Sequence, residues 1–419
     1  GKFLVRIEDT DLERSTEQYK DVILDALSWM NIEPDGPIVL QSKNLDKHNK
    51  LLNKLLEEDK VYKCFCSDKK DLETGSFSKY SGSCRENQDQ EGSFVIRFKL
   101  PENLPDSLEF EDLVHGKISI PSDQLDDFII VRSDGSPTYN FAVVADDIDM
   151  GITHVIRGDD HLMNTYKQKF IYDALGAKAP EFAHLPMILN EQGAKLSKRD
   201  AVVAVAEYKS SGYLPDALFN YLVRLGWSSG DQEIFTKEEL IKLFDLKNVQ
   251  KSGAAFDKNK LNWLNGVYLR DKDSGQLLSL IMADLKQSLF DKDQLVALID
   301  LYKERSITLK DLSKQLNALA INPDNYNPEF MKKWILPETK AYLADLKDLL
   351  SKESGWGQEE ITAVIKNYSK EKGLKLGQLA QPLRLAITGG TESPSIFALL
   401  GLLGKEETVS RLENILSVI

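Results

Sequence analysis

Lys195-Leu196-Ser197-Lys198-Arg199 places three cations within five residues. The apolar run Leu185-Pro186-Met187-Ile188-Leu189 leads into it, and Asn190-Glu191-Gln192-Gly193 turns the chain between the two. Departure of a polyphosphate is the chemistry such a loop suits. Charge builds on phosphate oxygens as a P–O bond breaks, and ammonium groups placed there stabilise it. Lys195 and Lys198 are spaced to reach one group from two sides. Alone, the stretch also reads as a solvated basic loop.

Three other residues change its meaning. The carboxylate of Glu8 suits an ammonium group. The guanidinium of Arg157 suits a carboxylate, bidentately, and the phenol of Tyr139 can add a hydrogen bond. An ammonium and a side-chain carboxylate together describe an acidic amino acid, and the Lys loop adds a nucleoside triphosphate. The chemistry implied is activation of a carboxylate by ATP. Taken singly, Glu8 or Arg157 could serve a surface ion pair and Tyr139 the core. A separate cluster runs Cys64-x-Cys66, thirteen residues, Tyr80, three residues, Cys84. It reads as thiolate ligands for zinc with Tyr80 the nearest fourth candidate, or as three reduced thiols.

These residues must be positioned by strands and helices. Phe3-Leu4-Val5-Arg6-Ile7 is apolar and β-prone, with Glu8 at its carboxyl end, where open α/β sheets bind ligands. Ser15 and Gln18 suggest a capping box for a helix whose apolar spacing runs from Tyr19 to Met30. A second helix is expected over 45–59, burying Leu51, Leu52, Leu55 and Leu56. Residues 94–98, 116–120 and 128–131 read as strands of a small insert, apart from any parallel sheet. Thr138 to Val144 reads as a strand ending at Asp146-Asp147. Ile152 to Ile156 reads as another, ending at Arg157-Gly158-Asp159-Asp160-His161. A helix with Tyr166, Phe170, Ile171 and Leu175 inward follows, capped by Gly176. Two half-sheets around an insert make an interrupted doubly wound fold, opening Glu8, Tyr139, Arg157 and Lys195 onto one crevice. Beyond about 200 the chain reads as helical. Pro215 starts one helix, with Ala217, Leu218, Tyr221, Leu222 and Leu225 as its stripe. Residues 257–264 form another helix, and 271–275 read as a linker.

The composition is that of a soluble globular protein of 419 residues, 42% hydrophobic and 28% charged. No apolar run approaches the roughly 18 residues of a membrane span. Three cysteines, an odd number, argue for a reducing compartment rather than a disulfide framework. The net charge of −13 disfavours a polyanionic partner except through local basic patches. Residues 276–419 carry 18 basic and 19 acidic side chains, so almost all of the excess lies before them.

Arg6-Ile7-Glu8-Asp9-Thr10-Asp11, Pro137-Thr138-Tyr139-Asn140-Phe141, His154 through His161 and the Lys loop together resemble bacterial-type glutamyl-tRNA synthetase, a class I aminoacyl-tRNA synthetase. Asn220-Tyr221-Leu222, Leu225-Gly226-Trp227, Phe256-Asp257, Leu261 through Asn265, Pro382-Leu383-Arg384 and Gly404-Lys405 extend the match along essentially the whole chain. The resemblance implies an α/β interrupted Rossmann-type catalytic domain with an α+β insert, followed by an all-α anticodon-binding region. Its divisions would be 1–60 and 137–190 for the catalytic domain, and 61–136 for the acceptor-binding insert. Residues 191–275 would be the Lys-loop and stem-contact region, and 276–419 the helical anticodon-binding region.

The reaction implied is ATP-dependent ligation of L-glutamate to tRNA-Glu through a glutamyl adenylate, with Mg²⁺ accompanying ATP and the tRNA needed even for the first step. Lys195 and Lys198 would be catalytic. Glu8 would hold the α-ammonium of glutamate, and Arg157 and Tyr139 its γ-carboxylate. His161 and Asp160 would line the substrate and nucleotide side. Met187 and Ile188 would meet adenine through backbone groups, and Lys195, Ser197 and Lys198 would hold the triphosphate. Arg305 and Arg384 would read the anticodon. Cys64, Cys66, Tyr80 and Cys84 match a zinc pattern found in some relatives. A cytoplasmic monomer is expected. Leu196 and Arg199 replace the Met and final Ser of the family's Lys-Met-Ser-Lys-Ser loop.

The family also has an upstream strand and a His-x-Gly-His-like helix, about 30 residues, with a further Arg for glutamate. The chain opens at Gly1-Lys2-Phe3 without them. Residues 1–419 alone are therefore expected neither to form adenylate nor to stay fully soluble, with an apolar sheet edge beside Phe3-Leu4-Val5. The alternative is a non-catalytic RNA-binding fragment or paralogue. A tRNA-modifying glutamyl transferase would lack residues 276–419, and a glutaminyl-tRNA synthetase would build that half as β-barrel.

Overall fold

The computed structural model describes residues 1–9, 17–66, 80, 82–86, 91–196, 204–286 and 289–419. The expected cap at Ser15 and Gln18 and the residues Ser197, Lys198 and Arg199 of the Lys loop lie outside what is described. The chain divides into two compact units, Gly1–Ala206 with Phe219–Asp257, and Glu207–Leu218 with Lys258–Ile419.

In the first unit, β1 (Arg6–Ile7) and β2 (Val39–Leu40) pair in parallel. Parallel strands need a long crossover, and α1 (Glu17–Trp29) lies within it. In α2 (Leu45–Glu57) the buried residues are His48, Leu52 and Leu55. That stripe runs at spacings of four and three, so Leu56 falls off it and is 38% exposed, contrary to expectation.

The insert is built on β3 (Val61–Cys64), β4 (Val95–Phe98), the hairpin of β5 (Ser107–Asp112) with β6 (Gly116–Pro121), and β7 (Ile129–Val131). An antiparallel sheet runs β3-β4-β7. Strand β5 was not anticipated, because Ser-Leu-Glu-Phe-Glu-Asp looks acidic. Its faces nevertheless alternate, with Phe110 and Asp112 buried and Glu109 and Glu111 exposed. Strands β8 (His154–Gly158) and β9 (Glu181–Leu185) run parallel, and β5 adds to β9 in parallel where Asp112 faces Phe182. The sheet order is β6-β5-β9-β8. The insert therefore shares a strand with the parallel sheet rather than standing apart from it.

Residues 138–144 are not a strand. They open α3 (Tyr139–Met150), in which Phe141 through Asp147 are all buried. A short apolar run reads equally as a buried strand or as a helix packed on every side, and periodicity cannot separate them. Gly151, at φ 63°, ends this helix in the left-handed region. Helix α4 (Leu162–Ala174) bridges β8 and β9 and buries Tyr166 and Ile171, as expected; Leu175 just beyond it is buried too, and Gly176 follows at φ 65°. Phe110, Phe141, Tyr166, Ile171 and Phe182 join the insert and the α/β layers in one core. Short strands β10 (Ile188–Leu189) and β11 (Ala254–Ala255) pair in parallel beyond β9. Helix Pro215–Arg224 begins at its proline, though Leu222 is exposed rather than part of a buried stripe. No helix among the described residues is long and apolar enough to cross a membrane.

The second unit is helical in all its described elements. Helix Lys258–Asp271 runs well past the expected Leu264. Residues 271–275 are a turn, not a linker. Asp273 caps helix Ser274–Ile281, and the buried Ser274 donates to Asp300. Capping boxes at Asp291 with Gln294 and at Thr308 with Asp311 start the next two helices. The core is a leucine-rich cluster from Leu277 to Ile415, with Trp334 and Trp356 packed against it. Arg411 is fully buried there. It donates to the carbonyls of Ile387 and Leu319 at 2.6 and 2.7 Å and to Glu407 at 2.7 Å. Replacing it with Met would keep volume but strip both carbonyls of their donors. Arg411→Met should cost about 2–4 kcal/mol in a denaturant titration of the full chain. A loss under about 1 kcal/mol would show that the carbonyls find other donors.

Candidate active site

Arg157, on β8, is the best-anchored charge of the unit. Its Nε donates to His184 Nε2 at 3.2 Å, Nη1 to Gln168 Oε1 at 3.0 Å and Nη2 to Thr165 Oγ1 at 2.8 Å. Thr165 and Gln168 are one helical turn apart on α4, and His184 faces Arg157 across the β8–β9 pair. All three partners are uncharged acceptors. Among the described residues Arg157 makes no ion pair, and burial holds its guanidinium below the usual arginine range. The guanidinium is thus fixed by neutral acceptors, with no carboxylate among the described residues in direct contact.

Tyr139, the first residue of α3, interacts with the same guanidinium. Burial and the charge of Glu8 push its phenol above the ordinary value, with Arg157 opposing. The Tyr139 and His161 rings lie 5.5 Å apart. Glu8, just past β1, has its side chain 41% exposed and meets Arg6 at 3.5 Å. Arg6 is held more firmly by Asp147 of α3 at 2.8 Å. Burial keeps the Asp147 carboxyl above the usual range despite that pair. Glu8, Tyr139, Arg157 and His161 therefore share one neighbourhood, as expected, although Tyr139 reaches it from a helix start rather than a strand end.

Lys195 Nζ meets Asp160 Oδ2 at 2.8 Å, both side chains being about half exposed. This pair joins the end of β8 to the loop after β10. The Met187 sulfur lies 3.6 Å from the position a Cβ would take on Gly158. Ile188 is paired with Ala254. A Cβ on Gly253 would stand 2.7 Å from the Met187 carbonyl, so only glycine lets the two segments approach.

Thr165, Gln168, His184, Asp112 and Gly253 are singled out by no motif in the sequence, and Arg6 and Asp147 stand there only as parts of expected strands and motifs, without a role. A polar side chain on an otherwise apolar strand was the available signal for His184, in Glu-Phe-Ala-His-Leu. Nothing local marks Asp112, which becomes informative only when β5 meets β9.

The sulfurs of Cys64, Cys66 and Cys84 lie within 4.8 Å of one another. Tetrahedral zinc with Zn–S bonds of about 2.3 Å needs sulfurs roughly 3.8 Å apart, so the three fit one ion. The Tyr80 hydroxyl stands 3.5 Å from the Cys64 sulfur and accepts from the Cys84 amide at 3.1 Å. Burial pushes this phenol up to about 12. Arg97 lies 4.0 Å over the Tyr80 ring and donates to Cys64 at 3.4 Å.

In the second unit Arg305 is exposed just after helix Lys292–Lys303. Arg384 donates to Ser393 at 2.7 Å. Burial, and then the charge of Arg305, hold Arg384 below the usual range.

His184 has a pH consequence. Burial, together with the charge of Arg157, lowers its pKa from 6.5 despite Asp112. The unfolded chain takes the proton near pH 6.5 and the folded chain resists it. Stability from this source is complete above that pH and falls as the pH drops below it. His184→Gln should make the fall of Tm between about pH 7 and 5 shallower. An unchanged slope would mean His184 does not stay neutral in the fold.

Residues 1–263 match the family of class I tRNA synthetases (E and Q), catalytic domain, and residues 276–416 match an anticodon binding domain. A glutamate–tRNA ligase of Thermodesulfovibrio yellowstonii is 42% identical over 99% of this chain and 92% of its own length. One from Geotalea uraniireducens is 42% identical over 100% and 92%. The crystal structure of a glutamate tRNA ligase from Elizabethkingia meningosepticum in complex with its amino acid matches with a TM-score of 0.88. It is 31% identical and covers 100% of this chain and 93% of that one. A Rossmann-like catalytic sheet followed by a helical anticodon-binding region, matched over nearly the whole chain, places the protein in the glutamate–tRNA ligase family.

Proposed function

We propose that this chain ligates L-glutamate to tRNA-Glu at the expense of ATP, through a glutamyl adenylate. The observation that carries this reading is the half-buried guanidinium of Arg157, which donates to neutral acceptors and interacts with Tyr139, whose phenol also feels the charge of Glu8. Arg157 and Tyr139 bind the γ-carboxylate of glutamate, and Glu8 binds its α-ammonium. The α-carboxylate is then left to attack the α-phosphorus of ATP, forming a C–O–P anhydride and releasing pyrophosphate. Lys195, Ser197 and Lys198 neutralise the leaving pyrophosphate, and Asp160 holds Lys195 until the triphosphate displaces it. Met187 and Ile188 meet adenine through their backbone, and His161 borders the two substrates. Mg²⁺ arrives with ATP as part of that substrate. A ribose hydroxyl of the terminal tRNA adenosine next attacks the activated carbonyl and releases AMP. Arg305 and Arg384 contact the anticodon, whose unpaired bases offer edges and faces to arginine.

Breaking a buried charge pair by removing one partner costs about 3–5 kcal/mol. Arg157→Ala should therefore lower kcat/KM for glutamate roughly 10²–10⁴-fold in tRNA-dependent ATP–pyrophosphate exchange. Near-normal glutamate kinetics in this variant would remove Arg157 from the site. Absence of glutamate-dependent exchange from residues 1–419 joined to the family's upstream strand and His-x-Gly-His-like helix would overturn the function itself.

Zinc, held by Cys64, Cys66 and Cys84 with Tyr80 beside them, would knit the insert together structurally. Elemental analysis should find one zinc per chain, lost in Cys66→Ser. Metal-free protein of unchanged melting temperature would instead establish three reduced thiols.

A further inference from the structure

We propose that Asp112 is a positioning residue for glutamate recognition, setting the protonated nitrogen of His184 so that its ring offers Arg157 an acceptor and no charge. The proposal rests on the functional reading above and deepens it.

The carboxylate of Asp112 is enclosed by donors. Oδ1 accepts from the amides of Val114 and His115, each at 2.9 Å, and Oδ2 from the His184 amide at 3.1 Å. The Asp112 Oδ2 to His184 Nδ1 distance is 2.7 Å, with both side chains wholly buried. Burial would raise the Asp112 pKa, but these hydrogen bonds outweigh it and hold the group ionised. An ionised carboxylate only accepts, so His184 Nδ1 must carry the hydrogen. In a neutral ring Nε2 is then a lone pair, and it faces Arg157 Nε at 3.2 Å.

The remaining contacts follow the same polarity. Thr165 Oγ1 accepts from Arg157 at 2.8 Å and lies 3.2 Å from His184 Nε2, to which it can donate. Gln168 Nε2 donates to Asn140 at 3.2 Å, which turns Gln168 Oε1 toward Arg157. The other tautomer would point an N–H of His184 at the N–H of Arg157. A carboxylate in the place of His184 would neutralise the guanidinium before substrate arrived. Asp112 sits one ring further away, where it polarises His184 without pairing with Arg157. The γ-carboxylate of glutamate is then the counter-charge Arg157 lacks, and the amide of glutamine would leave it unpaired.

The test is a double-mutant cycle in the full chain. In Asp112→Asn the Val114 and His115 amides hold the side-chain oxygen, so the NH₂ faces His184 Nδ1 and drives the ring to its Nε2–H tautomer. KM for glutamate should rise roughly 10²-fold, the order expected when a substrate-positioning group shifts, while KM for ATP changes little. Discrimination against glutamine should fall. ¹⁵N-histidine NMR should show one buried ring exchanging its Nδ1–H for an Nε2–H form. His184→Gln can offer a carbonyl oxygen to Arg157 without a tautomer to set. Adding Asp112→Asn to it should therefore change KM for glutamate by less than about threefold. Equal losses in both backgrounds, an equal rise in KM for ATP, or an unchanged tautomer would overturn the proposal. If Asp112→Asn does not fold, His184→Gln and His184→Leu carry the test. The first should stay within about threefold of the unaltered protein and the second should lose about 10²-fold, and equal losses overturn it. No glutamate-dependent exchange from residues 1–419 joined to the family's upstream strand and His-x-Gly-His-like helix would sink the functional reading, and this proposal with it. Normal exchange with an unaffected Asp112→Asn sinks this proposal alone.

Discussion

A guanidinium half-buried without a carboxylate in contact is expensive to keep, and the catalytic unit is arranged around keeping one. Removing Arg157 from water is offset chiefly by the hydrogen bonds it donates to Thr165, Gln168 and His184, none of which carries charge. A protein built for stability alone would put an aspartate beside it or a leucine in its place. Two carboxylates of the surrounding network are committed elsewhere, Asp147 to Arg6 and Asp112 to His184. A cation that the surroundings hold so firmly without a carboxylate in contact suits an anion, and the anion proposed for it is the side chain of glutamate.

The folding of the unit serves that placement. The β8–α4–β9 crossover supplies Arg157 from one strand, Thr165 and Gln168 from the helix and His184 from the other strand. The hairpin β5–β6 adds Asp112 by pairing with β9, so the insert takes part in the site as well as in its own sheet. Helix α3 then brings Tyr139 at its start and Asp147 near its end, one toward Arg157 and the other toward Arg6. The phosphate side is looser. Lys195 and Asp160 are about half exposed, and solvent screens their pair. That contrast suits the proposed order of events, in which a rigid pocket selects the amino acid and an exposed loop follows the triphosphate.

The two outlying features show how differently polar groups can be used. In the second unit Arg411 is fully buried where Arg157 is half-buried, yet its hydrogen bonds go to two main-chain carbonyls and Glu407, and it ties helices together. In the insert, Arg97 stacks on Tyr80 and reaches a cysteine sulfur, next to the three thiols that fit one zinc ion. Burial alone therefore says little about role. What distinguishes Arg157 is the neutrality of everything holding it.

Much of this was legible in the residues themselves. The family resemblance, strand β8 with helix α4 after it, and the helical second half follow from motif, periodicity and caps, which are local properties of a chain. Glu8, Tyr139, Arg157 and Lys195 could be named as candidates because their chemistry together describes a substrate, and Asp160 and His161 because the family resemblance implies them. Tertiary structure alone decided the rest. Residues 138–144 became a helix because packing on every side erases the periodicity that tells helix from strand. β5 was hidden by acidic residues on its solvent face, and its pairing with β9 joins residues some seventy positions apart. Asp112 and His184 acquire their relation to Arg157 only through that pairing. A hydrogen-bond network reads distances in space, and the linear order of residues does not contain them.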